Sequence, residues 1–516
     1  MHPVSRIKEF PPVVWLIAFA ALAKLAVHLL TGSSYGYFFD ELYTIALSKH
    51  LDFGYIDMPP LFPLLVAVSR FLFGESLFAY HILPSLAGAG TVVFACLIAR
   101  ELGGKLFAVG LTALAVITSP AWLTLDSVLC YDSMDQLTLT AFLFLLARFL
   151  RTGDRRLWVP IGVAAGIAFL TKSTILFLGP GFVAAVLASK HRRQFLLPEP
   201  WIALGAFLVL ASPYVIWNYL NGWTTYWYWR NYGLQRVYRY SFFEYLGNIT
   251  LVMGYAIIPL VVAGLYRAIR RFTDVGLRTF GILFLSTFAV VFVVRSRAIV
   301  LAELCIPLVA AAAVWMEEKI RGRGWRRSLQ VAAASLLVAE GVLAAPLCIP
   351  VLPESSLTGY AQTFGFMYKG LKDFKSAADL GHLVYLLGRT GWNELVKAVA
   401  DAYNSLPAGD RERAGILTDW YGSAGAIDLL GKQYGLPDAL SGSLNYYRWG
   451  PGKGTWDVMI IVTSNPQSGM RRLFANAQRS ATLTNLMLGV PLEYTVYVCR
   501  SPCAPPEVLW PTTRSF

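Results

Sequence analysis

Two adjacent carboxylates, Asp40 and Glu41, directly follow the aromatic run Tyr37-Phe38-Phe39, and a third, Asp57, closes Gly54-Tyr55-Ile56-Asp57 just before Met58-Pro59-Pro60. Further along, Asp126 precedes Tyr131-Asp132-Ser133-Met134-Asp135, in which Asp132 and Asp135 are spaced to share one helix face. Cations stand in comparable places: Lys172 in Phe169-Leu170-Thr171-Lys172-Ser173, Arg230, Arg236 and Arg239 in an aromatic-rich stretch, and Arg295-Ser296-Arg297. All border long apolar runs, where a charge is costly unless it is hydrated, paired or used. Cations hold phosphate, and a positioned carboxylate takes a proton from a hydroxyl, so this set suits a lipid-phosphate ligand. Each group also has a plainer explanation. Asp40 and Glu41 could cap a helix over 41–50, Asp132 and Asp135 could cap a span, and Lys172 could snorkel.

The elements that must position these groups are membrane spans. Apolar runs long enough for a bilayer fall near 13–31, 76–99, 106–124, 135–150, 157–173, 174–189, 201–219, 246–266, 279–294, 298–316 and 328–349, which predicts eleven spans. The run 60–73 is short, carries Arg70, and reads as re-entrant or interfacial. With a cytoplasmic N-terminus, alternate loops hold 20 basic residues and the opposite ones 8, which follows the positive-inside rule. The first run reads as a retained span with no cleavage site. On this orientation every group named above lies on the outer side. The expected division is a membrane domain over 1–350, with an outer loop at about 32–75 carrying the chemistry, and a soluble extracytoplasmic α/β domain over 351–516. In that tail, helical segments (391–405, 422–434) alternate with strands (413–418, 457–463, 494–499).

Composition agrees. Of 516 residues, 56% are hydrophobic and only 15% charged, too apolar for an ordinary soluble enzyme or a disordered chain. The net charge of +13 is concentrated in residues 1–350, with 29 basic against 18 acidic residues. That surplus marks topology and excludes a nucleic-acid partner, because the basic loops lack interleaved stacking aromatics. Cysteines in or beside spans read as apolar packing residues. Cys499 and Cys503, in the exported tail, could pair as a disulfide, and too few ligands accompany them for a metal.

The run Phe39-Asp40-Glu41-Leu42-Tyr43, followed by Gly54-Tyr55-Ile56-Asp57-Met58-Pro59-Pro60-Leu61, resembles the first extracytoplasmic loop of bacterial GT-C glycosyltransferases. The nearest group is the dolichyl-phosphate-mannose–protein mannosyltransferase and aminoarabinose transferase-like family (glycosyltransferase family 39-like). Ala99-Arg100-Glu101-Leu102-Gly103-Gly104, Gly166 to Lys172, and Trp217-Asn218-Tyr219-Leu220-Asn221-Gly222-Trp223 are similar to one bacterial branch. So are Tyr421-Gly422-Ser423-Ala424-Gly425-Ala426, Tyr434-Gly435-Leu436-Pro437, Trp449-Gly450-Pro451 and Val498-Cys499-Arg500. The resemblance implies a mainly α, polytopic GT-C bundle. It also implies transfer of a sugar from a polyprenyl-phosphate carrier to an extracytoplasmic hydroxyl on a lipid, protein or envelope glycan, at the inner or plasma membrane. Asp40 matches the catalytic carboxylate, Glu41 its companion, and Asp57 an acidic position beside the donor phosphate or a metal. Met58 departs from the Lys or His of relatives, and Arg297-Ala298-Ile299-Val300 from their Lys-x-Tyr-Tyr-like run. Candidates for substrate and donor-phosphate contacts are therefore Tyr55, Asp57, Asp132, Asp135, Lys172, Arg236, Arg295 and Arg297.

A polyprenyl phosphate is already a fair leaving group, and no nucleotide-phosphate motif is present. No cofactor is required on this reading; cationic side chains do the work a divalent metal would otherwise do. The rival is a transporter or lipid flippase, which calls for repeats and for polar groups deep in spans. No repeat is visible, and Lys24, His28, Glu303 and Glu340 are the notable deep charges. A third reading, a scaffold displaying the tail, would make Asp40, Glu41 and Asp57 replaceable.

Overall fold

The computed structural model describes residues 11–188, 192–235, 240–270, 275–319, 324–364, 384–465, 469–484 and 493–515. Helices dominate as far as residue 348. They are α1 (Pro12–Thr31), α2 (Phe39–Lys49), α3 (Leu61–Phe73), α4 (Leu77–Glu101), α5 (Leu106–Thr118), α6 (Pro120–Leu125), α7 (Tyr131–Thr152) and α8 (Trp158–Thr171). Then follow α9 (Ile175–Leu187), α10 (Pro198–Leu220), α11 (Thr224–Gln235), α12 (Phe242–Met253), α13 (Ile258–Arg270), α14 (Val275–Val293), α15 (Ala302–Lys319) and α16 (Gly324–Cys348). Every one of the eleven apolar runs contains a helix, but length separates them. Seven helices among the described residues can cross a bilayer, eight if the bent pair α12–α13 counts as one span. The run 106–124 is cut into α5 and α6 at Ser119-Pro120, since proline cannot continue a helix that needs its N–H. The run at 60–73 is the short helix α3.

The run expected as one span over 246–266 is broken by 115°. Gly254 ends α12 with a φ of 102°, a conformation that a side chain would strain. Glu340 of α16 meets the break: its carboxylate accepts from the Tyr255 N–H, and from the Ala256 N–H at 2.8 Å. The deep charge Lys24 is likewise paired, 2.9 Å from Asp126, with neither side chain exposed to solvent. Gly88 makes the room, because a Cβ there would lie 2.6 Å from the Asp126 carboxylate. At the centre stands α15, with 89% of the window around it buried.

Beyond the bundle lie α17 (Glu354–Thr363), α18 (Val384–Leu387), α19 (Trp392–Asn404), α20 (Ala408–Arg411), β1 (Ala414–Thr418), α21 (Tyr421–Leu430), β2 (Ala439–Ser441), α22 (Leu444–Trp449), β3 (Val458–Thr463), β4 (Phe474–Thr484), β5 (Glu493–Pro502) and α23 (Pro506–Leu509). The sheet runs β2-β1-β3-β5-β4, parallel as far as β3 and antiparallel from there. The α/β character and three of the five strands match the sequence expectation; β2 and β4 were not anticipated. β3 is buried on both faces, as its unbroken apolar Val-Met-Ile-Ile-Val requires. Ile416, Ile460, Val462, Val496 and Val498 face one core, and Leu417, Met459, Ile461, Tyr497 and Cys499 the other. Cys499 is buried, Cys503 is exposed, and both are free thiols, so the disulfide does not form.

The first of those cores does not end at the domain. Leu42, Tyr43, Ala46 and Leu47 of α2, with Tyr55, Ile56 and Met58, join Trp392, Leu395 and Ile416 in one cluster. Tight approach makes this contact. A Cβ on Gly425 of α21 would sit 2.8 Å from the Leu42 backbone, and one on Gly422 3.1 Å from Phe39 Cβ. Gly425→Val should therefore force α2 and α21 apart and destabilise the protein by about 1–3 kcal/mol. Gly409→Ala, which meets open space, should leave the melting temperature of the solubilised protein unchanged. Lys24→Met should cost about 3–5 kcal/mol by stranding Asp126, and Lys24→Met/Asp126→Leu should recover most of it, read from the same melts.

Candidate active site

The site begins at the N-terminus of α2. Glu41 reaches back to accept from the Phe38 N–H at 2.9 Å, capping the helix. Its other oxygen faces His81 Nε2 at 2.8 Å and the Leu129 N–H at 2.7 Å, and it is 1% exposed. His81 is held in turn through Nδ1, 2.5 Å from the Gly32 carbonyl. Burial pushes the Glu41 carboxyl up, but His81, Arg389 and the Leu129 N–H outweigh it and hold it below the usual carboxylate range. Glu41 is thus walled in, and it ties the start of α2 to α4 and to the α6–α7 turn.

Asp40, one residue earlier, points the other way and is only partly buried. Its Oδ1 accepts from the Tyr421 hydroxyl at 2.8 Å. Asp57 lies beside it: Oδ1 accepts from Tyr43 Oη at 2.9 Å and from Asn445 Nδ2 at 3.2 Å. Asn445 clamps the whole loop, since its Oδ1 accepts from the Ile56 N–H at 3.3 Å and its Nδ2 donates to Tyr43 Oη at 2.5 Å. Burial raises the Asp57 carboxyl to about 7; the charge of Asp40 adds to that, and the bonds from Tyr43 and Asn445 oppose it. Tyr421 follows β1 and Asn445 follows β2, so both come from the carboxyl ends of parallel strands, where open α/β sheets place ligand contacts.

A second group of charges adjoins the first. Lys172 pairs with Asp132, lies 3.8 Å from Asp135, and stands 5.2 Å over the Tyr131 ring. Glu303 of α15 is within electrostatic reach of the same three groups. Arg297 donates to Tyr232 Oη at 2.9 Å. Tyr131 connects the two halves, being within reach of Asp132, Arg297, Asp40 and Asp57. Tyr385 is partly buried and within electrostatic reach of Asp132, Arg297, Cys130 and Asp40, and desolvation raises its hydroxyl well above the ordinary value. Asp40, Asp57, Asp132, Asp135, Lys172 and Arg297 are therefore gathered around two phenols. The remaining candidates fall elsewhere. Tyr55 is buried, with its hydroxyl bonded to the Asp52 N–H and the His50 carbonyl, so it shapes the loop. Arg295 is exposed on a turn with a φ of 56°, and Arg236 lies outside the described residues. Among the described residues, no three His, Cys, Asp or Glu converge to hold a metal ion.

Sequence reasoning did not find Asn445, His81, Tyr385 or Arg389. Arg389, buried, donates to the Ser127 carbonyl at 2.6 Å and hydroxyl at 2.9 Å, fastening the domain to the bundle. Tyr421 opens a stretch noted for resemblance, but nothing in the chain predicts that its hydroxyl meets Asp40.

Comparison with known proteins agrees with this architecture. Residues 57–217, under a third of the chain, match the model of the family described as dolichyl-phosphate-mannose-protein mannosyltransferase. The lipid A galacturonosyltransferase RgtD of Rhizobium johnstonii is 28% identical over 204 residues, which is 39% of this chain and 42% of that protein. The chain thus spans less than half the length of that curated relative. Two crystal structures of ArnT from Cupriavidus metallidurans share the fold. The form bound to undecaprenyl phosphate is 15% identical with a TM-score of 0.57, and the apo form 16% identical with 0.59. Each match covers 94% of this chain and 97% of the other. By its apolar helices the chain is a multi-pass membrane protein, its fold is that of the ArnT structures, and residues 57–217 carry the segment that matches the mannosyltransferase family model.

Proposed function

We propose that the protein transfers a sugar from a polyprenyl-phosphate carrier to a hydroxyl of an extracytoplasmic lipid, protein or envelope glycan, using Asp40 as the base. The observation that carries this reading is a half-buried carboxylate oriented by Tyr421, next to a paired cation, with two phenols between them. The acceptor hydroxyl gives its proton to Asp40 as its oxygen attacks the anomeric carbon. The bond from that carbon to the phosphate oxygen breaks, and the phosphate departs toward Lys172 and Arg297. One displacement inverts the anomeric centre, by the logic known for glycosidases. General-base help of this kind contributes about 10²–10⁴-fold, and preorganised cations stabilise the leaving charge. Asp132 and Asp135 orient Lys172, and Glu41 positions the helix that carries Asp40. The N-terminus is cytoplasmic and the C-terminal domain outside, in the inner or plasma membrane, as the distribution of basic residues favours.

Three of the four deep charges weigh against the rival transporter reading. Of the deep charges, Lys24 is paired with Asp126, and Glu340 caps the broken helix. Glu303 belongs to the charge group at the edge of the bundle.

In proteoliposomes supplied with a polyprenyl-phosphate sugar, Asp40→Asn should lower transfer about 10²–10⁴-fold with the melting temperature kept. Undiminished transfer by that variant would remove Asp40 from the mechanism. Asp57 supports a pH test. Its carboxyl titrates near 7 in the folded protein and near 3.9 when unfolded. Between those values only the folded form holds the proton, so raising the pH from 5 to 8 withdraws stability. Asp57→Asn should lack this part of the loss. The wild type should thus fall relative to the variant in melts at pH 8 compared with pH 5.

A further inference from the structure

A second concavity lies on another face of α2, where none of the groups assigned to transfer stands. It is a cleft of about 220 Å³ between α2, α21 and α22. Leu42, Ala46 and Lys49 open onto it, at the spacing of one helix stripe. Asp40 and Tyr43 instead engage Tyr421 and Asp57. One wall is aromatic. Trp449 packs on His50 with ring centroids 4.2 Å apart and meets Tyr446 edge-on at 4.6 Å, and its indole is 36% exposed. The floor is polar and ordered: Asp428 accepts from Tyr446 Oη at 2.6 Å and from the Ala439 N–H at 2.7 Å. Burial raises the Asp428 carboxyl to about 6.

The cations are the informative part. Lys49 and Lys432 both line the cleft, and burial and the nearby Lys432 charge push the pKa of the Lys49 amine down, with Glu75 opposing. Two ammonium groups so placed repel, and an anion between them relieves the repulsion. Asp428 is engaged below, while Asp438 stands exposed at the rim, free in position to accept from hydroxyls. A part-exposed tryptophan, a rim carboxylate and two lysines together describe one kind of guest.

We propose that this cleft is a subsite for an anionic sugar, with the ring lying on Trp449, its phosphate or carboxylate between Lys49 and Lys432, and its hydroxyls toward Asp438. Resting on the glycosyl-transfer reading, the sugar is part of the acceptor. Lys49 lies nine residues along α2 from Asp40, about 14 Å at the helical rise. An acceptor that fills the cleft and still offers a hydroxyl to Asp40 spans that distance, so it is an oligosaccharide or a lipid-linked glycan.

Calorimetric titration of the solubilised full-length protein tests the subsite. Glucose 6-phosphate and glucuronate should bind, and glucose should bind at least tenfold more weakly. Trp449→Ala and the Lys49→Ala/Lys432→Ala double variant should each weaken glucose 6-phosphate at least tenfold, and Asp40→Asn should leave it unchanged. Equal binding of glucose, binding that survives Trp449→Ala or the double lysine variant, or binding abolished by Lys172→Ala would overturn the assignment. So would no binding of either anionic sugar. Inorganic phosphate binding as tightly as glucose 6-phosphate would reduce the site to an anion trap and also overturn it. In nanodiscs with and without phosphatidylinositol 4-phosphate, displacement of glucose 6-phosphate by the lipid would assign the sugar to a membrane headgroup, and its absence to a free glycan. Loss of Asp40-dependent transfer with titrations intact would fault only the transfer reading. Intact transfer with failed titrations would fault only the subsite.

Discussion

Glu41 is a carboxylate taken out of water at the seam between the helical bundle and the C-terminal domain, and such a group persists only where donors replace its hydration. Three do so, from three separate parts of the chain: Phe38 at the head of its own helix, His81 in α4, and Leu129 in the turn before α7. Satisfying all three fixes the start of α2 in position and in rotation. The neighbouring Asp40 is thereby turned toward Tyr421 and its backbone carbonyl toward Thr44. Glu41 was expected as a companion in the chemistry; the geometry makes it the reason that Asp40 can be precise in its aim.

The same principle recurs through the bundle. Each buried carboxylate with defined partners closes a gap in the backbone or in the charge balance. Glu340 supplies the acceptor that a broken helix needs where its N–H groups have no intrahelical partner. Asp126 answers Lys24, and Glu317 accepts from the Lys105, Phe107 and Ala108 N–H groups at the start of α5. Such pairs add little net stability, but breaking one leaves an uncompensated charge, so they set register between helices. The charges around Tyr131 differ in kind, because Asp132, Asp135 and Glu303 share one neighbourhood with Lys172.

Much of this was legible in the chain. Hydropathy marks where helices occur, since apolar length is a local property, but not where they break: the chain is interrupted at Pro120 and Gly254, and Glu340 meets the second break. The carboxylates Asp40 and Asp57, and the Lys172 group, stood out because charge beside apolar sequence is conspicuous. Their orienting partners did not. Asn445 and Tyr421 are ordinary residues after short strands, and their meaning comes from contacts across 388 and 381 residues. The small residues of Tyr421-Gly422-Ser423-Ala424-Gly425-Ala426 carried a signal whose cause is steric: α2 lies against their backbone.

The core shared by α2 and the C-terminal sheet has a consequence for how the protein is made. Residues 39–58 emerge from the ribosome early, whereas Trp392, Ile416 and Asn445 emerge far later. Until then the helix bearing Asp40 has no apolar partner for Leu42 and Ala46, and closing so long a loop comes late in folding. The membrane helices can insert one after another, but Asp40 is aimed only once the segments carrying Tyr421 and Asn445 have been made. A chain truncated within its last hundred residues would therefore be inserted, and inert.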